Sequence, residues 1–120
     1  MEALEDERMT VRLHAIKGLG RMGYGKAAKK IASLLINDES GGIRLNALYV
    51  LMDFGDKSVQ PQIKKALADP QWYVRQNACI ACSRFRIRTA RTQLKKMSLT
   101  DDRKAVRQAA LAALEELEGI

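Results

Sequence analysis

Apolar residues in this chain recur with helical period, as at Val11, Ala15, Ile16, Leu19 and Met22, which fall on one face of a helix. The same run returns from Ile43, Val74 and Val106, at intervals of 32, 31 and 32 residues. Self-similarity at a fixed period of this size is the mark of a stacked repeat. Three polar or small columns accompany the apolar one. Five residues before each marker stands an aspartate (Asp6, Asp38, Asp69, Asp101), one residue after it an arginine (Arg12, Arg44, Arg75, Arg107), and four after it an alanine (Ala15, Ala47, Ala78, Ala110).

Each run, called helix A, ends in turn chemistry: Gly23 and Gly25 in the first unit, Gly55 and Asp56 in the second. A second helical stretch, helix B, then passes through Ala27, Ile31 and Leu34, through Val59, Ile63 and Ala66, and through Ala90, Leu94 and Met97. Pro61 lies near the start of one B helix, where the backbone donors have no intrahelical partner. Asp69 and Pro70 read as an N-cap followed by proline at the first helical position.

An Asp…(Val/Ile)-Arg-x-x-Ala helix, a short turn and a second helix every 31 to 32 residues resembles the short HEAT-like repeats of the phycobilisome-lyase type. The resemblance implies an all-α fold: an α-solenoid, a right-handed superhelix of antiparallel helix pairs, with about three full repeats and a partial one. The repeats would span approximately 6–37, 38–68, 69–100 and 101–120 of one domain covering residues 1–120. It also implies A helices on the convex side, B helices lining the concave side, and a ladder of hydrogen bonds between repeats. That ladder would use Asp6, Asp38, Asp69 and Asp101 with Arg12, Arg44, Arg75 and Arg107. The opening MEALED aligns with KKALAD at 64–69, and the final VRQAALAALEELEGI supplies an A helix without a B helix. A repeat buries its face only against neighbours. The chain is therefore expected to be a piece of a longer array with an unpaired last A helix; the alternatives are that this helix acts as a cap, or that it pairs with another copy in self-association through an exposed terminal repeat.

Composition narrows the functional classes. The 120 residues are 47% hydrophobic and 5% aromatic, enough for one core without staples. No window is long and apolar enough for a membrane span, and Glu2, Glu5, Asp6 and Glu7 do not make an export signal. Two cysteines three residues apart point to a reducing, cytoplasmic setting. The motif C-x-x-C at 79–82 invites a redox or zinc reading. The repeat register answers it: Cys79 shares a column with Ile16, Leu48 and Leu111, and Cys82 with Leu19, Leu51 and Leu114, so both are expected in the core. Neither two further zinc ligands nor a strand before the motif is present in the pattern. His14 is the only histidine and is followed by Ala15, which removes the His-Glu pairs of HEAT-like di-iron hydroxylases. The catalytic constellation of HEAT-like DNA glycosylases cannot be placed here either. The chain is read as a non-enzyme without cofactor or metal.

Charge is the informative feature. The net charge is +7, and the B windows 26–36, 57–68 and 88–98 hold ten Lys or Arg and no Asp or Glu. A solvated B face of this composition predicts a basic wall, with Lys29, Lys30, Lys64, Lys65, Arg91, Lys95 and Lys96 as its partner-binding residues. Trp72 and Tyr73 stand in a column with no fixed character, so they either cover a seam between repeats or anchor a partner. The reading is a scaffold or adaptor for protein–protein interaction, binding an acidic protein on the concave basic face. There are two alternatives: a nucleic-acid-binding module using the same wall, though stacking aromatics are few, and a non-catalytic or regulatory subunit of a lyase-type complex.

Overall fold

The computed structural model describes residues 2–119. Among the described residues, seven α-helices follow one another and there is no strand: α1 (Met9–Met22), α2 (Ala28–Asn37), α3 (Gly41–Phe54), α4 (Gln60–Lys65), α5 (Trp72–Arg84), α6 (Arg91–Thr100) and α7 (Lys104–Glu118). Odd-numbered helices are the A helices of the repeat and even-numbered ones the B helices. The A helices stack in sequence, α1 on α3, α3 on α5 and α5 on α7, and each B helix lies against the A helix that follows it. The fold is thus an α-solenoid, as the periodicity and the resemblance indicate. An A helix of 13 to 15 residues is only about 20 Å long. The 42 Å dimension of the 42 × 25 × 18 Å body therefore runs along the stack.

Local chemistry sets the helix ends. Gly23 and Gly55 close α1 and α3 with φ of +64° and +67°, a left-handed turn in which a side chain would be strained. At the other end, each repeat aspartate folds its carboxylate back onto the backbone N–H two residues on. Asp6 accepts from Arg8 (2.8 Å), Asp38 from Ser40 (2.9 Å), Asp69 from Gln71 (2.9 Å) and Asp101 from Arg103 (3.0 Å). This corrects the expectation that Asp69 caps α5 with Pro70 at its first position. The helix starts at Trp72 with Gln71 as its cap residue. Asp69 instead builds an Asx turn in the loop, and Pro70 lies between the two.

The B stretches are also less uniform than their spacing suggests. Each opens with a tight 3-10 turn: Gly25–Ala27, Lys57–Val59 and Arg88–Ala90. The second, expected as one helix, has six α-helical residues with Pro61 in the first turn, and then tightens again over Ala66–Ala68. A matching 3-10 turn, Glu2–Glu5, precedes α1 and buries Leu4 as Ala66–Ala68 buries Leu67.

The core is a continuous strip of the repeat columns. Ile43, Val74 and Val106, then Ala47, Ala78 and Ala110, are buried along the stack. Cys79 and Cys82 are both fully buried free thiols, and desolvation pushes each up to about 12. They fill the space that aliphatic side chains fill in the neighbouring repeats. Gly20 marks a close approach of two A helices: a Cβ there would lie 2.9 Å from Cγ2 of Val50 on α3.

Candidate functional site

The repeat columns of Asp and Arg meet across every seam. Arg12 donates from Nε (2.8 Å) and Nη2 (3.1 Å) to the two carboxylate oxygens of Asp38. Arg44 does the same to Asp69 (2.8 and 3.1 Å), and Arg75 to Asp101 (2.9 and 3.1 Å). The remaining Nη1 turns back to the carbonyl of its own repeat's aspartate: Asp6, Asp38 and Asp69. Bidentate geometry of this kind suits the planar guanidinium fork. Burial raises the Asp101 carboxyl, but the hydrogen bonds from Arg75 and the Arg103 backbone N–H outweigh it and hold it below its ordinary range. Asp6 is gripped by Arg8, whose hydrogen bonds take it down to about 2. Arg107 keeps the backward bond, Nη1 to the Asp101 carbonyl at 2.7 Å. Its Nε and Nη2 meet no carboxylate among the described residues.

The B helices present the wall. Lys29, Lys30, Lys65, Arg91, Lys95 and Lys96 are exposed and Lys64 is half-buried. Two acidic residues from outside the B windows approach its first part. Glu5 lies 3.6 Å from Lys30, and Asp56, held low by its hydrogen bonds with Ser58, also lies in the field of Lys29. Among the described residues no carboxylate comes within ion-pair distance of Lys64, Lys65, Arg91, Lys95 or Lys96. Of the seven, only Lys30 has an ion pair among the described residues, and five of the six without one lie on the second and third B helices, a bias that counting charges in the B windows does not reveal.

Trp72 and Tyr73 are half-buried at the seams. Their rings meet edge to face at 5.9 Å. Tyr73 reaches back to Gly41 at the start of α3, where its hydroxyl fills the space that a Cβ would need. Trp72 faces forward, with the Arg103 guanidinium 5.3 Å over its ring. His14 is exposed on α1, and no group of three His, Cys, Asp or Glu among the described residues is placed to hold a metal ion.

One residue was missed by the sequence reading. Arg86 has φ +57°, the only non-glycine residue with positive φ among the described residues. It occupies the turn position that Gly23 and Gly55 fill in the first two repeats. With Lys57 and Arg84 it rims a pocket of about 240 Å³ beside Met52, Gly55 and Phe85. The signal was present in the sequence: the glycine column lapses to arginine in the third repeat, in the same basic region of the chain.

A comparison with curated proteins finds no match. The family model for HEAT repeats matches residues 28–115 of the 120, taking in α2 to α6, most of α7 and the Arg44–Asp69 and Arg75–Asp101 seams. With most of its length matched and its helix pairs stacked in register, the chain belongs to the HEAT-repeat family.

Proposed function

We propose that this HEAT-repeat chain is a non-catalytic scaffold that binds an acidic protein segment along the second and third B helices. HEAT repeats generally serve as protein-interaction scaffolds, and no helix among the described residues is long and apolar enough to cross a membrane. One observation supports the finer reading: Lys64 and Lys65 on the second B helix and Arg91, Lys95 and Lys96 on the third are exposed or half-buried without a carboxylate partner among the described residues. Placing acidic side chains there supplies the missing countercharge and speeds encounter. The engagement of Trp72 with Tyr73 and Arg103 favours a protein partner over single-stranded nucleic acid, which needs free rings for stacking.

The test titrates a fluorescent poly-glutamate peptide, a DNA duplex and a single-stranded RNA against the protein at low salt. Peptide binding that weakens about tenfold or more in Lys64→Glu/Lys65→Glu and in Lys95→Glu/Lys96→Glu, and little in Lys29→Glu/Lys30→Glu, is the expected result. Binding that ignores all three double variants overturns the wall. Tighter binding of either nucleic acid, lost in the same variants and falling steeply with salt, replaces the acidic protein with nucleic acid.

A further inference from the structure

We infer that the recess between the turns of the second and third repeats is a binding site for a phosphate monoester dianion, held by Lys57, Arg84 and Arg86. The recess, of about 240 Å³, lies between Met52, Gly55 and Lys57 of one repeat and Arg84, Phe85 and Arg86 of the next. All three cations are exposed. Among the described residues none of them has a carboxylate within ion-pair distance. The acids nearby in the chain or the fold leave them uncompensated. Asp53 and Glu116 form no ion pair among the described residues, and the Asp56 carboxylate accepts from the backbone N–H of Ser58 at 2.8 Å.

The repeat supplies its own control. One unit earlier, the equivalent positions hold Gly20, Gly23, Gly25, Asp53, Phe54 and Gly55, one carboxylate and no cation. One unit later they hold Ser83, Arg86, Arg88, Glu116, Leu117 and Glu118, two cations against two carboxylates. Of the three seams, only this one has three cations and no acid at these positions, so the fold does not require the cluster.

The backbone points the same way. Arg86 takes φ +57° at the position where Gly23 and Gly55 take +64° and +67°. The Cβ of an arginine disfavours that conformation, and residues held in it gather at ligand sites. What the departure from glycine supplies here is a guanidinium. Nη1 of Arg86 is fixed to the Glu116 carbonyl at 3.3 Å, and Nη1 of Arg84 reaches the Met52 sulfur at 3.9 Å. Each fork therefore keeps Nε and Nη2 without an acceptor among the described residues. The space that a Cβ of Gly55 would enter is open, which leaves room for an anion between the three side chains. Two forks and an ammonium suit a dianion with three terminal oxygens better than a singly charged carboxylate or phosphodiester. Met52 and Phe85 offer apolar surface to the carbon that carries the ester. None of the B-wall residues Lys64, Lys65, Arg91, Lys95 and Lys96 lines the recess, so the site stands independently of that wall.

Amide chemical shifts of the isotope-labelled protein, titrated at constant ionic strength, test this. Phosphoserine is expected to move the Gly55, Lys57 and Arg86 amides saturably, with acetate and dimethyl phosphate binding at least about tenfold more weakly. Arg86→Gly, which restores the residue of the first two repeats, and Lys57→Gln should each weaken phosphoserine about tenfold, with circular dichroism showing the fold kept. Lys64→Gln/Lys65→Gln should change its affinity by less than about twofold, so loss of the wall and loss of this site are read separately. A neutral peptide carrying a single phosphoserine decides the source of the ester. Binding at least about tenfold tighter than phosphoserine assigns it to a phosphorylated partner protein, and equal affinity to a free phosphate compound. The proposal is overturned by the absence of saturable shifts, by equal binding of acetate or dimethyl phosphate, or by indifference to both Arg86→Gly and Lys57→Gln.

Discussion

The second seam of the stack and its last helix carry the same residue types in different surroundings. At the seam, Arg44 and Asp69 are both buried and share two hydrogen bonds, while Leu48 is fully enclosed. On α7, Arg107 has the same backward anchor but no carboxylate in its fork, and Leu111 is half exposed. The lesson is that a HEAT-repeat column has no fixed energetic value. What an arginine or a leucine contributes depends on whether the next repeat is there to cover it.

Four measurements can break or sharpen that contrast. Arg44→Ala leaves the Asp69 carboxylate buried without its cation and should cost about 3–5 kcal/mol. Arg107→Ala in dilute solution should cost no more than about 0.5 kcal/mol. Urea denaturation of the two variants decides it, and equal losses would dissolve the contrast. Leu48→Ala opens a cavity in the core and should cost about 2–5 kcal/mol. For Leu111→Ala the loss should stay near or below about 1 kcal/mol, read from the same urea midpoints.

Acid probes both kinds of aspartate. Asp101 in its seam and Asp6 at the first end titrate below their unfolded values, Asp6 at about 2. A carboxyl depressed by folding contributes stability that is fully present above the unfolded pKa of about 4 and is lost as pH falls through the folded one. Thermal melts should therefore drop between pH 4 and 2. Asp101→Asn should flatten that drop more than Asp6→Asn, whose ion pair is solvent-exposed. The smallest effect runs the other way. Arg86→Gly relieves a left-handed backbone at φ +57° and should stabilise the chain by roughly 0.5–1 kcal/mol. If Arg86 belongs to the basic wall, the same change should weaken binding of the acidic peptide. A loss of stability on Arg86→Gly would show that its hydrogen bond to the Glu116 carbonyl outweighs the strain.

The repeat was legible because its determinants are local. Helical periodicity needs only spacing, and four columns recurring together leave little freedom in register. The core assignment of Cys79 and Cys82 followed from that register and from nothing about sulfur. What stayed hidden depends on residues distant in sequence. The α5 start moved to Trp72 because Asp69 is engaged by Arg44 and by its own Asx turn. The placing of Tyr73 and Trp72 rests on Gly41 behind and Arg103 ahead, each about one repeat away. The basic wall was visible as composition, but its bias was not. Glu5 and Asp56 lie outside the B helices in the sequence and beside them in the fold.

Each aspartate inside the stack is held twice, by its side chain from the repeat before and by its carbonyl from the arginine of its own repeat. Asp38 joins Arg12 to Arg44, Asp69 joins Arg44 to Arg75, and Asp101 joins Arg75 to Arg107. No link refers to anything farther than one unit away. A unit copied in tandem would arrive with its arginine and aspartate already matched to both neighbours, so an array of this kind can change length by whole units without any new seam having to be invented.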